Sequence, residues 1–415
     1  MHIPQTRPPH LQGMHRRALL KAGLTAGVVM SAWPLTRPTA LWGGEAGQPR
    51  RGGILRVRGF DPPHFDHHLT NVFKTNATLS FVHSTLVRHQ VGPEVRPGTF
   101  PVEPHLAERW DIPNATTYIF HLRPGVKWHH KPPLNGRELV AEDVKFTFDR
   151  FRTEPGNPLR DLLASVERVE VVDRLTVQFL LKEPNVWLLD VLAQPAGMWI
   201  IAPEVVHHFG DLKKPESAIG TGPFLLERYE PNVKTVFKRN PDYFRPGQPY
   251  VDGVEWVVVD DASTGLAMYR AGQLDCGPME FWTVRQHDLE ALQQSHPHLQ
   301  YQDFQSSGGE LLAMRTDQPP FNDVRVRRAI SMALDRQALV AALAVRGQPT
   351  PAIPPGLVEW SLPIDQLGAG AKYYQYDPQE PDACWRKRAL PRACRRSSLQ
   401  RAARASGPIS SIACS

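Results

Sequence analysis

Three pairs of neighbouring histidines and the first cysteine of the chain, Cys276, are candidates for metal binding or nucleophilic chemistry. The pairs stand at 67–68, 129–130 and 207–208. Neighbouring side chains point to opposite sides of a strand or helix, so that each pair could offer one convenient metal ligand. We therefore predict surface histidines rather than a metal site. Cys276 stands apart from the other three cysteines of the chain, and we predict a small buried hydrophobe there rather than a nucleophile.

Signatures of catalytic sites are missing from the sequence. The chain has no Gly-x-Ser-x-Gly, no His-Glu-x-x-His and no phosphate loop. The segment GTGPF at 220–224 is rich in glycine, but a phosphate cradle needs the amides of a helix N-terminus after the loop. Because a proline and then a strand pattern follow here, the segment predicts a tight turn into a strand. The sequence thus predicts no enzyme, no catalytic residue and no cofactor.

Hydrophobic periodicity predicts a mixture of strands and helices. Strands are predicted at 54–57, 116–122, 169–172, 175–180, 235–238 and 254–259, and helices at 141–151, 263–271 and 324–345. The last helix is expected to break near Asp335, whose carboxylate can cap a second helix. Before the break, Val326, Ile330 and Leu334 recur every four residues, which predicts one buried stripe.

Positive charge is concentrated at the two ends of the chain. The formal net charge is +6, with +6 on residues 1–51, +7 on residues 381–415 and −7 on residues 52–380. A basic chain usually indicates nucleic acid or an acidic membrane surface as a partner. Here the long middle is mildly acidic, so its composition predicts an ordinary globular body with no nucleic-acid partner.

The N-terminus has the pattern of an export signal. Arg16, Arg17, Leu20 and Lys21 stand immediately before an apolar run at 22–32. That run is shorter than the roughly 20 residues that span a bilayer, and small residues follow it, as in exported proteins. The paired arginines resemble a twin-arginine signal, whose partner is the twin-arginine translocase. We predict a signal peptide and linker over 1–46.

Three groups of motifs occur in a fixed order along the chain. They are VKWH at 126–129, PPLNG at 132–136 and AEDVKF at 141–146; IGTGPF at 219–224 and FKRNPDYF at 237–244; and PFNDVRVRRAI at 320–330 and ALDR at 333–336. Together they resemble the periplasmic dipeptide- and oligopeptide-binding proteins of ABC transporters, the bacterial extracellular solute-binding family 5, over about 53–380. The resemblance implies an α/β fold: a two-lobe periplasmic-binding-protein clamshell of type II that closes on its ligand by a hinge.

The resemblance also implies a domain plan and a function. Lobe I is expected over 47–275, with an extra β-rich subdomain inserted at about 72–200, and a partial lobe II over 276–380. The implied function is that of a monomeric receptor in the periplasm, which captures a peptide or similar small solute and presents it to an ABC permease in the inner membrane. A receptor for a nickel chelate or an oligosaccharide is the alternative within the family.

Candidate ligand contacts follow from the same reasoning. They are the turn after the first strand, with Gly59, Phe60 and Asp61, and two tryptophans, Trp199 and Trp282. Core packing is the alternative for any one of the aromatic residues. Peptide-binding members of the family pair an aspartate with the amino terminus of the peptide, and no residue here matches that motif.

The tail at 381–415 differs in character from the rest of the chain. It holds three of the four cysteines, eight Lys or Arg and one acidic residue. Its first nine residues, PDACWRKRA, are what a one-base shift produces from one coding of a helix typical of the family, Ala-Arg-Arg-Leu-Leu-Ala-Glu-Ala-Gly. We therefore predict a frame-shifted tail, an incomplete second lobe and impaired binding. The alternative is a basic tail that binds nucleic acid or a membrane surface, but the tail lacks amphipathic periodicity and interleaved aromatics.

Overall fold

The structure, a computed structural model, describes residues 49–92, 94–276, 286–297, 305, 308–309, 311–342 and 347–378. The predicted signal at 1–46, Trp282 and the tail at 381–415 lie outside the described residues. By its contacts, the chain divides after Gln48, and residues from Pro49 onward form one unit. The predicted boundary between the lobes at 275–276 stays a prediction.

The described residues form ten strands and eight α-helices, with short 3₁₀ helices between them. The strands are β1 (Ile54–Gly59), β2 (Val87–His89), β3 (Val102–Pro104), β4 (Ala107–Asn114), β5 (Thr117–Leu122), β6 (Val166–Asp173), β7 (Thr176–Leu181), β8 (Phe224–Glu230), β9 (Lys234–Arg239) and β10 (Gly253–Val258). The helices are α1 (Phe73–Leu79), α2 (Ala141–Thr153), α3 (Leu188–Ala193), α4 (Pro203–Phe209), α5 (Ala262–Arg270), α6 (Gln286–Ser295), α7 (Val324–Ala333) and α8 (Arg336–Ala342).

The first sheet joins the beginning of this region to residues some 200 positions later. Its strand order is β1-β10-β9-β8; β1 and β10 run parallel, and the other neighbours are antiparallel. Its core contains Val57, Leu79, Phe237, Val254 and Trp256. Helix α1 packs into this core through Leu79. The elements from β2 to α4 instead form a separate core, because β8, β9 and β10 come so late in the chain.

The second sheet is built from those intervening residues, in the order β4-β5-β7-β6. The strand β5 alternates between half-buried and buried residues, the pattern of a sheet with one covered face. Helix α2 covers that face, where the rings of Phe120 and Phe148 both meet Phe179 edge to face. This separate sheet and core occupy the middle of the predicted insertion at 72–200, whose limits stay a prediction.

A buried carboxylate ties α2 to its surroundings. Asp143, 1% exposed, accepts hydrogen bonds from both terminal nitrogens of Arg137, at 2.7 and 2.8 Å, and from the indole of Trp128. Arg137 also donates two bonds to Glu204 on α4. A buried ion pair with this many bonds is costly to break from one side, so the network fixes α2 against α4.

Most of the predicted elements are confirmed to within one to three residues. The strand at 235–238, for example, is Lys234–Arg239, and the helix at 141–151 is Ala141–Thr153. The predicted turn at 220–224 is confirmed: Gly220 and Gly222 pack so closely on the Val82 carbonyl that an added Cβ would lie 2.1 and 2.5 Å from its oxygen, and β8 begins at Phe224. Asp335 caps α8 through the amide of Ala338.

The predicted stripe on α7 is not buried. Val326, Ile330 and Leu334 are half-buried, and the one buried residue of this helix is Ala329. The apolar period of the helix was predicted correctly, but the segments described around it cover the stripe only in part. No helix within the described ranges combines the length and apolar character needed to cross a membrane.

Candidate functional site

The parallel pair β1 and β10 brings two turns to one edge of the first sheet. Gly59 is paired with Val258 at the carboxyl ends of these strands. Phe60 and Asp61 follow β1, and Asp260 and Asp261 follow β10. Ligands of α/β proteins bind at this kind of edge, outside the carboxyl ends of parallel strands. We call the turns 59–61 and 259–261 the carboxyl edge.

A glycine and a tryptophan fix the first turn of this edge. A Cβ on Gly59 would lie 2.3 Å from the indole of Trp256, which leaves room for glycine alone. The same indole donates a hydrogen bond to the carbonyl oxygen of Phe60 at 3.1 Å. The Phe60 ring is 8% exposed and meets Phe73 and Trp256 edge to face. The turn is therefore rigid, and Phe60 supports it from inside.

The carboxylate of Asp61 is held by a tyrosine. Tyr229 on β8 donates its hydroxyl to Asp61 at 2.8 Å. Burial, and then the bond to Asp61 and its negative charge, raise the pKa of Tyr229 to about 12. The tyrosine therefore stays protonated and acts as a donor, and the half-buried Asp61 keeps a second oxygen for another partner.

Arg58 connects the two turns beneath their surface. Its side chain is 2% exposed, and it donates to the carbonyl oxygens of Val259 at 2.7 Å and Asp260 at 2.9 Å. Burial lowers the pKa of this guanidinium, while the charges of Asp261 and Asp260 oppose that shift. A buried cation below the edge thus orients the second turn and partly balances its carboxylates.

The second turn presents two carboxylates with different tasks. Asp261 caps α5 by accepting from the amide of Thr264 at 2.7 Å and from its hydroxyl, and these bonds lower the pKa of Asp261. The Asp260 side chain is 81% exposed and lies 4.0 Å from the ammonium of Lys74, which is 45% exposed. A pair this exposed contributes little to stability, so Asp260 can exchange Lys74 for another cation.

The chain passes beside β1 a second time before it leaves the first sheet. The amide of Asp275 donates to the carbonyl of Arg56, the Asp275 carboxylate accepts from the Arg56 amide at 2.7 Å, and Cys276 bridges to Val57 in parallel. Burial, and then the charge of Asp275, raise the pKa of the Cys276 thiol. The half-buried thiol packs against the first core and so is a poor nucleophile at neutral pH.

The chemistry of the carboxyl edge is that of polar recognition. Carboxylates and one exposed ammonium can pair with a charged solute, and rigid turns preserve their spacing. Within the part of the chain that the structure describes, no three His, Cys, Asp or Glu side chains are placed to hold a metal ion. The arrangement is suited to the binding and release of a charged solute.

The five predicted ligand contacts do not all come together. Gly59, Phe60 and Asp61 lie at the carboxyl edge, where Asp61 offers a polar group and Phe60 little more than its backbone. Trp199 is 5% exposed and lies away from this edge, and its carbonyl oxygen is 3.4 Å from Nε2 of His67. Trp282 lies outside the described residues. Ligand contact by these residues stays a prediction.

Sequence reasoning missed the partners of Asp61 and the second turn. Tyr229 reaches Asp61 from β8, Arg58 reaches the second turn because β1 pairs with β10, and Lys74 approaches Asp260 from helix α1. These are contacts between distant parts of the chain, which no local pattern reveals. A signal for Asp260 and Asp261 was available, because two acidic residues stand between a predicted strand and a predicted helix. Such a junction is where a carboxyl edge forms.

The histidine pairs are only in part surface residues. His67 and His68 are buried, at 1% and 0% exposure, and His129 is buried as well. The predicted surface position of these three is wrong. His67 and His68 lie in a buried turn, and His129 lies in an irregular segment where its amide donates to the carbonyl of Gly220, so that the alternation of a strand or helix does not apply to them. His130 is exposed, as is the pair at 207–208.

Comparison with known proteins places the chain in a family. Residues 101–388, more than half of the chain, match the family described as "Bacterial extracellular solute-binding proteins, family 5 Middle". Di/tripeptide-binding protein 2 of Pseudomonas aeruginosa (strain UCBPP-PA14) is 30% identical over 346 residues, which are 78% of this chain and 60% of that protein. The chain thus spans less than two thirds of the length of this relative.

Solved structures show the same fold. DppA of Helicobacter pylori, in complex with the peptide STSA, superposes with a TM-score of 0.67 at 24% identity, over 82% of this chain and 67% of that one. AgaA in complex with agropinic acid from A.tumefacien R10 gives a TM-score of 0.67 at 24% identity, over 81% and 64%. The predicted α/β fold of periplasmic binding proteins is confirmed, and the chain belongs to the bacterial extracellular solute-binding proteins, family 5.

Proposed function

We propose that this chain is a solute-binding receptor of an ABC importer that takes short peptides and holds their free amino group at the carboxyl edge. The observation that carries the proposal is the set of carboxylates of Asp61, Asp260 and Asp261 at the ends of two parallel strands. The di/tripeptide-binding relative supports a short peptide as the solute. The fold supports hinge closure, which requires that the solute bind the closed form more tightly than the open one.

Thermal unfolding of the full chain with peptides tests this proposal. The probe is an equimolar mixture of unblocked dipeptides, and the same dipeptides with acetylated amino groups are the matched control. A ligand at about 100 times its Kd stabilises the folded state by about 2.7 kcal/mol, which raises Tm by a few degrees. The carboxyl edge belongs to the first sheet, so we expect the incomplete second lobe predicted from the sequence to weaken binding without abolishing it. At concentrations well above its Kd, the unblocked mixture should raise Tm, and the acetylated mixture should do so much less. Equal effects of both mixtures would contradict the role of the carboxylates, and no effect of either would contradict peptide binding.

Substitutions at the edge locate the binding. Asp260→Asn removes the exposed charge and keeps the shape of the side chain, and Asp61→Asn does the same beside Tyr229. Each variant is expected to reduce the rise of Tm caused by the unblocked mixture. The matched control is Asp242→Asn on the turn after β9, whose carboxylate is half-exposed and lies 3.7 Å from Lys127.

We further propose that the chain acts in the periplasm as a monomer, delivers its solute to an inner-membrane permease and is exported by the twin-arginine translocase. The sequence pattern at Arg16, Arg17, Leu20 and Lys21 supports the export route. Replacing both arginines by lysine keeps the charge and is expected to leave the protein in the cytoplasmic fraction of a bacterial host. Export at the wild-type level would contradict this route, and sizing by light scattering tests the monomer.

A further inference from the structure

Two half-exposed tryptophans from distant parts of the chain meet in the structure. Trp187 immediately precedes α3 and is 50% exposed, and Trp360 lies in the turn at 353–361 and is 54% exposed. Their ring centroids are 5.0 Å apart, with the ring planes inclined at 53°. The first belongs to the predicted inserted subdomain and the second to the predicted partial lobe II. We call this contact the tryptophan pair.

The position of Trp187 is fixed by its own subdomain. Its amide donates to the side-chain oxygen of Asn185 at 3.0 Å. Asn185 in turn donates to the hydroxyl of Ser165 at 2.9 Å, and its carbonyl accepts from the hydroxyl of Tyr118 on β5 at 3.2 Å. The indole is therefore presented to its partner by a turn that is anchored on the second sheet.

Trp360 is presented by an equally well-defined turn. The amides of Trp360 and Ser361 both donate to the carbonyl of Leu357 at 2.9 Å. The hydroxyl of Ser361 donates to the carbonyl of Ile353 at 2.8 Å. These bonds hold the turn together without help from the subdomain, so that the turn can meet or leave Trp187 as a unit.

A second close approach lies beside the tryptophan pair. Gly98, in the loop between β2 and β3, has a φ of +81°, and a Cβ there would lie 1.8 Å from the carbonyl oxygen of Gly356. A side chain of Val358 lies 3.5 Å from the same position. The loop and the turn thus touch at backbone distance, so that the turn that carries Trp360 meets the predicted inserted subdomain at a second point.

We propose that Trp187 and Trp360 are positioning residues for solute binding: they hold the turn at 353–361 against the inserted subdomain in the closed form. This inference rests on the proposed function. An aromatic pair adds a modest stabilisation beyond the area that it buries, enough to shift an open–closed equilibrium and small enough to be reversed. Since closure sets the apparent affinity, loss of the pair is expected to weaken solute binding about 2- to 10-fold.

The test uses the full chain and the dipeptide mixture as the probe. Contacting indoles give an exciton couplet in far-ultraviolet circular dichroism. We expect the couplet in the wild type with the mixture present, and we expect its loss in Trp187→Leu and in Trp360→Leu. Both variants should need about 2- to 10-fold more of the mixture for the same rise of Tm. Val186→Ala, next to the pair and 79% exposed in the wild type, is the matched control and should change neither reading.

Trp360→Phe separates positioning from mere folding. A phenylalanine keeps an aromatic contact and removes one indole, so that binding of the mixture should recover while the couplet stays absent. The inference is overturned if the wild type shows no couplet with the mixture present, or if the leucine variants bind the mixture as tightly as the control. If the mixture does not stabilise even the wild type, the proposed function and the role of the pair both fail, and the couplet without peptide still shows whether the contact itself exists.

Discussion

Acid is expected to destabilise this protein because five histidines in the part of the chain that the structure describes are buried without charge. They are His67, His68, His83, His105 and His129, and none is more than 7% exposed. Burial lowers the pKa of His67 and of His105 to about 3 and that of His129 to about 4, and it lowers the pKa values of His68 and His83 well below the usual value. The folded protein therefore takes up protons at these positions only far below neutral pH.

Three of the five form one cluster with a buried ion pair. The rings of His67 and His68 lie 4.5 Å apart, and His83 lies 5.4 Å from His67. Arg150 is paired with Asp66 at 2.7 Å in the same region. Burial is the main cause that lowers the pKa of His67, and the positive charge of Arg150 adds to it. Burial is also the main cause for His68, where the neighbouring imidazoles and Arg150 lower the pKa further.

The other two histidines lie near cations of their own. Arg88 and Arg245 add to the effect of burial on the pKa of His105. Lys131 does the same for His129, whose Nε2 lies 3.0 Å from a backbone carbonyl that partly opposes the shift. No carboxylate is among the causes of either shift, so neither imidazolium would gain a strong partner in the folded state.

The size of the effect follows from proton linkage. In the unfolded chain, a histidine takes up a proton near pH 6.5. In the folded protein these five histidines stay neutral at that pH. As the pH falls, the unfolded state therefore binds more protons than the folded state, and the free energy of unfolding decreases. Between about pH 7.5 and 5.5, each of these histidines lowers the free energy of unfolding by about 1.4 kcal/mol, and the five together lower it by at most about 7 kcal/mol. This is comparable with the whole stability of a native domain, about 5–15 kcal/mol. Carboxylates whose pKa is lowered titrate only below about pH 4.5, outside this window.

Urea unfolding at about pH 7.5, 6.5 and 5.5 and constant ionic strength measures the effect. We expect the free energy of unfolding to fall steeply over this range. In His68→Leu, which removes one fully buried imidazole, the loss should be smaller by about 1.4 kcal/mol. The exposed His130, changed to Gln, is the matched control and should leave the loss unchanged. A free energy of unfolding that stays constant or rises on acidification would show that these histidines do not gain protons on unfolding in this range.

Two further predictions concern residues that the fold cannot replace. Asp143→Asn removes the buried charge that accepts from Arg137 but leaves Arg137 paired with Glu204. We therefore expect a loss of about 1.5–3 kcal/mol in the free energy of unfolding, measured in urea, and a loss below about 0.5 kcal/mol would contradict the network. Gly59→Ala places a Cβ against the indole of Trp256, and we expect the free energy of unfolding to fall by about 1–3 kcal/mol and the indole fluorescence to change. Unchanged fluorescence and stability would show that the turn can move to accept the extra methyl group.

Local pattern was sufficient to predict most elements. The strand at Lys234–Arg239 alternates between buried and more exposed residues. The helix α7 begins where the side chain of Asp323 accepts a hydrogen bond from the amide of Arg325. Such features depend on neighbours in sequence. For that reason the sequence predicts the strand and the start of the helix at residue 324.

The carboxyl edge could be predicted only in part. The turn after β1 was recognised as a candidate, but its neighbours arrive through the pairing of β1 with β10, almost 200 residues later. The bond from Tyr229 to Asp61 and the position of Arg58 beneath the second turn depend on that pairing. The same holds for the burial of His67, which is set by packing against distant parts of the chain rather than by its neighbours in sequence.

Hydrogen–deuterium exchange of the full chain, with and without the unblocked dipeptides, shows whether the solute binds at the carboxyl edge. If the carboxyl edge holds the solute, amides in the turns at 59–61 and 259–261 will exchange more slowly when the dipeptides are present and will be unaffected by the acetylated ones. Unchanged exchange in both turns, or protection confined to the tail at 381–415, would show that the solute does not bind at this edge.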